Sequence, residues 1–208
     1  MAERPQALLV DWGGVLTTNL FASFAGWCHR AGVDFEELGR RFLQDKEFHR
    51  LLVDLECGRI DETVFEPRFA ALLGVPSEGL IDGLMADVRP DWEMIEAVRT
   101  LRGAGIKTGL ISNSWGVHRY PRDLFEELFD GVVISGEEGM RKPAPEMYRL
   151  GAERVGVEPR RCVYVDDLPH NLGPAAELGM ATIHHTNTEQ TIARLAELFG
   201  VDLRIRAA

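Results

Sequence analysis

Four short apolar runs of this chain each close on residues that can do chemistry. ALLV at 7–10 runs into Asp11, followed by Trp12, Gly13 and Gly14. IKTGLI at 106–111 ends at Ser112 and Asn113. VVI at 132–134 ends at Ser135 and leads on to Lys142, and RCVYV at 161–165 ends at Asp166 and Asp167. Together these are the parts of a phosphoryl-transfer site. Asp11 can attack phosphorus as a carboxylate nucleophile. Mg²⁺ takes hard oxygen ligands and keeps several waters, so Asp11, Asp166 and Asp167 with one backbone carbonyl suffice to hold it. Without a cation those carboxylates repel one another. Lys142 offsets charge on the nucleophile and on the phosphoryl oxygens, while Ser112 and the amides around Asn113 hold the other oxygens. Each residue alone has a plainer reading. Asp11 is then a helix cap, Ser112–Asn113 and Asp166–Asp167 are turns, and Lys142 is a solvated loop lysine. Their joint occurrence at four strand ends, in this order, points to an active site.

For these ends to converge, the runs must be neighbouring parallel strands, and the rest of the pattern agrees. After Pro90 the chain alternates: a helix over about 91–103, strand 106–112, a short helix near 121–128, strand 132–135, a helix after Pro145, strand 161–167, a helix over 171–178, strand 181–185 and a last helix over 188–199. Strands separated by helices of about ten residues imply parallel βαβ units. Strands that are apolar throughout imply a sheet covered on both faces. In such sheets ligands bind outside the carboxyl ends of the strands. Residues 17–89 differ. They carry helix-like segments at roughly 20–31, 34–44, 46–55, 61–73 and 77–87, with no strand-like run. The reading is one α/β domain, a doubly wound parallel sheet built from residues 1–16 and 90–208, with an all-helical insertion at 17–89. The terminal RIRAA at 204–208 is expected to fray.

Composition narrows the partners. The 208 residues carry 23 Lys plus Arg against 33 Asp plus Glu, a formal charge of −10, which disfavours nucleic acid and anionic lipid. Cys28, Cys57 and Cys162 match no zinc or redox spacing and read as reduced thiols. The apolar start at 7–10 is too short for a signal-peptide core, and no stretch nears the ~20 residues of a membrane helix. The expectation is a soluble cytoplasmic protein, monomer or homodimer, acting on a small phosphorylated molecule.

The four segments resemble the four motifs of the haloacid dehalogenase-like (HAD) hydrolases. VDWGGVLT at 10–17 is similar to the nucleophile loop, ISNS at 111–114 to the second motif, MRKPAPEMY at 140–148 to the third and YVDDLPHNLGPAAELGM at 164–180 to the fourth. ECGRIDETVFEPRFAALLGV at 56–75 resembles part of the small helical cap that one subfamily inserts between the first two motifs. The resemblance covers about residues 6–200. It implies a Rossmann-like core, an aspartyl-phosphate intermediate, Mg²⁺ dependence and a cap that opens and closes over the site. It makes Asp11, Lys142 and Ser112 the catalytic set, with Ser112, Asn113, Gly13, Gly14 and Lys142 around the phosphate. Asp11, the Gly13 carbonyl, Asp167 and Asp166 become the metal ligands.

One position departs from the family's phosphatases. They carry a second Asp two residues after the nucleophile, which protonates the leaving group, and here that position is Gly13. General acid–base help is worth ~10²–10⁴-fold, so slow turnover of alkyl phosphates is expected unless Thr17, Thr18 or His29 substitutes. Two alternatives follow. A 2-haloacid dehalogenase also lacks that Asp but has no use for paired metal acids. A non-catalytic phospho-ligand-binding protein would tolerate Gly13 but gives no reason to keep Asp11, Lys142 and both late acids together. Trp12 is expected to pack at the cap interface, Trp27 in the cap interior, and the His184–His185 pair to be structural.

Overall fold

The computed structural model of the chain describes residues 4–203, and the 204–208 tail expected to fray lies outside them. Five strands form one sheet: β1 (Ala7–Val10), β2 (Lys107–Ser112), β3 (Gly131–Ile134), β4 (Cys162–Asp166) and β5 (Ala181–His184). Their order is β3-β2-β1-β4-β5, and every pairing is parallel. Strand order reverses between β1 and β4, which makes their carboxyl ends the crevice where such sheets bind ligands.

Side chains of a strand alternate between faces, and β1 and β4 use both. Leu8, Val10, Val163 and Val165 face one buried cluster, which α6 (Trp92–Gly103), α7 (Arg122–Leu128) and α11 (Thr188–Phe199) close with Ile95, Val98, Phe125 and Phe199. Ala7, Leu9, Cys162 and Tyr164 face a second cluster, closed by α9 (Pro145–Val155) and α10 (Pro169–Glu177). The sheet is thus covered on both sides, as the unbroken apolar runs imply.

Between β1 and α6 the chain forms α1 (Leu20–Ala31), α2 (Phe35–Gln44), α3 (Lys46–Glu56), α4 (Glu62–Leu73) and α5 (Leu80–Met85). Side-chain caps from Asn19, Asp34, Asp45 and Asp61 start the first four. These helices bury a third cluster of their own, including Phe24, Phe48, Phe65 and Phe69. The chain leaves for this segment and returns from it side by side. Thr17 bridges Pro90, and Thr18 N donates to Arg89 O at 2.8 Å.

The last of these helices is shorter than the 77–87 expected. Gly79 takes a left-handed conformation, φ 67°, that no α-helix propagates, so regular turns begin at Leu80. At the end of β3, Ser135 leaves the strand and opens the four-residue α8 (Ser135–Glu138), a turn the sequence pattern does not announce.

Candidate active site

The carboxyl ends of β1 and β4 bring Asp11, Asp166 and Asp167 together, with a carboxylate oxygen from each within 4.8 Å of the others. Asp11 sits one residue past β1 because its N–H continues the ladder, donating to Val165 O at 3.0 Å. Its Oδ1 accepts from Trp12 N at 2.7 Å, which turns the carboxylate toward the loop. Lys142 is buried between two acids, its Nζ 2.8 Å from Asp11 Oδ2 and 2.8 Å from Asp166 Oδ2. Lys142 reaches this point through Asn113. The Asn113 amide donates to Lys142 O at 3.2 Å and accepts from Lys142 N at 2.8 Å, locking the end of β2 to the lysine loop. The Asn113 side chain is therefore a brace, and what it offers a ligand is its backbone. Ser112 is buried, its Oγ accepting from Tyr120 OH at 2.9 Å.

The two adjacent acids differ. Asp166 is fully enclosed and accepts from Leu168 N at 2.9 Å, Asn171 Nδ2 at 3.0 and 3.2 Å, Tyr164 OH and Lys142. Burial alone would raise its carboxyl, but Lys142 and these donors outweigh it and hold the group below its usual range. Asp167 is less enclosed and has no such set of donors. Burial and the charge of Asp166 push it up to about 6. Burial likewise pushes Asp11 to about 7, with Lys142 pulling down and Asp166 and Asp167 pushing up. A like-charge pair about 5 Å apart costs ~3 kcal/mol at an effective dielectric near 20, so one lysine does not balance three acids. Asp11 and Asp167 thus offer hard oxygen atoms with an uncompensated charge. That donor set fits a divalent cation such as Mg²⁺.

Gly14 makes the approach possible. It has φ 75°, and a Cβ there would lie 2.3 Å from Asp167 Oδ2. Its N–H donates to Thr17 Oγ1 at 3.1 Å, and Thr17 in turn donates to Thr18 O at 3.1 Å. Thr18 Oγ1 accepts from Arg89 N at 3.0 Å. The Thr17 proton is thus committed to a backbone carbonyl, while Thr18 and His29 are both exposed, Thr18 next to Arg89 and His29 on α1. At Gly13 the backbone has ordinary φ, but a Cβ would meet Leu20 Cδ1 at 2.6 Å. A leucine from α1 closes over the position where the family's second Asp would stand.

Of the other expectations, Trp12 packs edge-on to Phe125 and Tyr120 of the sheet domain. Trp27 packs against the helical cluster as expected. His185 Nδ1 lies 2.9 Å from Thr191 Oγ1, and His184 Nε2 lies 3.1 Å from Asp167 O, both structural contacts.

Sequence reasoning missed Glu56, at the end of α3. Its side chain is buried, with Oε2 2.6 Å from Nε of Arg141, the neighbour of Lys142. The two atoms are at ion-pair distance but misaligned, and neither makes a hydrogen bond. The Glu56 backbone carbonyl accepts from Ser135 Oγ, which accepts from Ser114 N at 2.8 Å. α3 is thereby fastened to the loops after β2 and β3. Burial raises the Glu56 carboxyl to about 7, although Arg141 and Lys142 lower it. A carboxyl raised on folding favours the folded state below about pH 4.5 and loses that contribution as pH climbs to about 7. Glu56→Gln is expected to melt within a degree or two of wild type at pH 5 and above it at pH 8. Melting curves that stay parallel across that range would mean the ionised Glu56 is well compensated.

Among the described residues no helix is long and apolar enough to cross a membrane. The family profile described as "Hydrolase: haloacid dehalogenase-like hydrolase" matches residues 5–179. Bifunctional epoxide hydrolase 2 of Sus scrofa is 32% identical over 131 residues, 60% of this chain and 24% of that protein. Sesquiterpene phosphatase astK of Aspergillus oryzae is 32% identical over 116 residues, 54% of this chain and 59% of that protein. The matched segments thus span less than two thirds of each of these relatives. In structure, a HAD family enzyme of Bacteroides thetaiotaomicron in a magnesium complex superposes with TM-score 0.66 at 22% identity, covering 88% of this chain and 94% of that one.

Proposed function

Because the chain belongs to the haloacid dehalogenase-like hydrolases, we propose that it is a Mg²⁺-dependent phosphatase that transfers the phosphoryl group of a small monoester to Asp11 and then to water. The observation that carries this reading is Lys142 buried between Asp11 and Asp166, with Asp167 beside them. A single protonated lysine among three acids is an arrangement for binding further positive charge and a phosphate.

Asp11, Asp167 and the Gly13 carbonyl would hold the Mg²⁺, which when bound offsets the charge of the phosphoryl oxygens. Asp166, saturated by its own donors, serves behind them as the anchor of Lys142. The rest follows from the side chains. Lys142 keeps its proton because both neighbouring acids favour the charged form against the effect of burial. It holds Asp11 in place and faces the incoming negative charge. Ser112 and the amides beyond β2 receive the remaining oxygens. Residues 17–89 act as the cap, with Leu20, Met85 and Val88 beside the site. The second half-reaction displaces a carboxylate, a weak base, from phosphorus, so it needs no proton donor.

The test is phosphate release from p-nitrophenyl phosphate with Mg²⁺ present and after chelation. Turnover is expected with the metal and at least ~10²-fold less without it, since removing one preorganised charge-stabilising group typically costs that much. Halide release from 2-chloropropionate in chelator, with no phosphate release, would replace this reading by the dehalogenase one.

A further inference from the structure

A cavity of about 220 Å³ lies against the carboxyl edge of the sheet. One wall is formed by Gly13, Ser112 and Asn113, the chain neighbours and phosphate-side residues of the proposed site, so the cavity adjoins that site. The other walls are largely apolar and aromatic: Trp12, Leu20, Met85, Trp115 and Tyr120. Its charged lining residue, Arg119, already has partners. Nε and Nη2 donate to the Glu62 carboxylate, and Nη1 donates to Asp82 Oδ1 at 2.6 Å. The guanidinium is matched by two acids and is not free to take a second anionic group.

Size gives the scale of the occupant, since an apolar cavity of ~150 Å³ takes up benzene. The chemistry of position 13 points the same way. Gly13 carries no acid and Leu20 packs over it, so the site favours a leaving oxygen that departs without a proton. A phenol ionises near pH 10, whereas an alkyl alcohol is about as weak an acid as water and holds its proton far more tightly.

We propose that the substrates are phosphate monoesters of small, uncharged aryl alcohols, the ring seated among Trp12, Trp115, Leu20 and Met85. This rests on the phosphatase reading above and narrows it. An Asp11 carboxylate oxygen bonds to phosphorus as the phosphorus–aryl oxygen bond breaks. The electron pair leaves on the aryl oxygen as a phenolate, which takes its proton from water. Water then attacks phosphorus, the Asp11 carboxylate departs with the bonding pair, and the water's proton leaves to solvent with inorganic phosphate.

The experiment uses the full chain with Mg²⁺ and three esters: phenyl phosphate, glycerol 3-phosphate and acetyl phosphate. Inhibition of acetyl phosphate turnover by phenylphosphonate and by methylphosphonate is measured alongside. Phenyl phosphate is expected to exceed glycerol 3-phosphate in kcat/KM by at least ~10²-fold, the usual worth of the missing acid. Phenylphosphonate is expected to bind roughly 10- to 100-fold more tightly than methylphosphonate, the gain from burying one ring. Met85→Glu should shrink that gap, while the wild-type ratios stand without any variant. Equal inhibition by the two phosphonates, or glycerol 3-phosphate turned over as well as phenyl phosphate, overturns the aryl assignment and leaves the phosphatase reading standing. No release from any of the three esters, acetyl phosphate included, overturns both.

Discussion

Asp11→Asn is expected to lower kcat by at least ~10³-fold, about 4 kcal/mol of transition-state stabilisation, while leaving the folded protein intact or firmer. The amide is no nucleophile, and no neighbouring acid can replace it. Asp166 is enclosed by its own donors, and Asp167 is expected to hold the cation. The stability half of the prediction comes from linkage. Burial, with Asp166 and Asp167, raises the Asp11 carboxyl from 3.8 to about 7. In the absence of metal the wild type therefore loses stability as pH rises through that window, and Asn does not. Metal-free Asp11→Asn should melt above metal-free wild type at pH 8 and close to it at pH 4. Mg²⁺ should shift the wild type upward by more than the variant, because a cation bound only to the folded state stabilises it. Turnover by the variant within tenfold of wild type would remove Asp11 from the chemistry.

Lys142→Met should damage both activity and fold. The ammonium is 1% exposed and lies 2.8 Å from each of two carboxylates, so its loss leaves them buried without a counter-charge. Breaking a buried ion pair from one side costs ~3–5 kcal/mol. For a chain of this length that is a fall of roughly 10 °C in Tm. Asp166, held below its usual range by Lys142 against burial, contributes stability above its unfolded value and loses it as pH falls. The deficit of the variant should therefore be largest near pH 7–8 and shrink toward pH 4. Activity should drop at least ~10²-fold, the typical effect of removing one preorganised positive or donor group. A variant with wild-type Tm at pH 8 would mean that Lys142 does not compensate these acids.

What the sequence made legible follows from period and position. Asp11, Ser112, Lys142 and Asp166–Asp167 were readable because apolar runs define strands, and parallel strands bring their carboxyl ends to one edge. Tyr164 was within reach by the same rule, since residues two apart on a strand share a face and Tyr164 donates to Asp166. Trp115, two residues past Asn113, was placed at the rim of the site by its position, and it lines the cavity there, but Glu56 and Leu20 were not readable. Their roles depend on how the helices of 17–89 dock against the loops after β1, β2 and β3, and no local periodicity encodes that docking. The limits of α5 and the turn at Ser135 escaped for a different reason. They are set by a left-handed glycine and by a serine hydroxyl bonding to a distant carbonyl.

Trp115 belongs by sequence to the loop after β2, yet its ring lies 5.1 Å from Phe24 and 5.9 Å from Phe65, among the aromatics of the inserted helices. The indole is therefore a natural optical gauge. Any separation of the two parts that admits a ligand has to draw it from rings into water, with a red-shifted emission. The same withdrawal forfeits aromatic contact worth about 0.5–1.5 kcal/mol per ring pair, which makes parting of the two halves a candidate for the slowest event in a catalytic cycle.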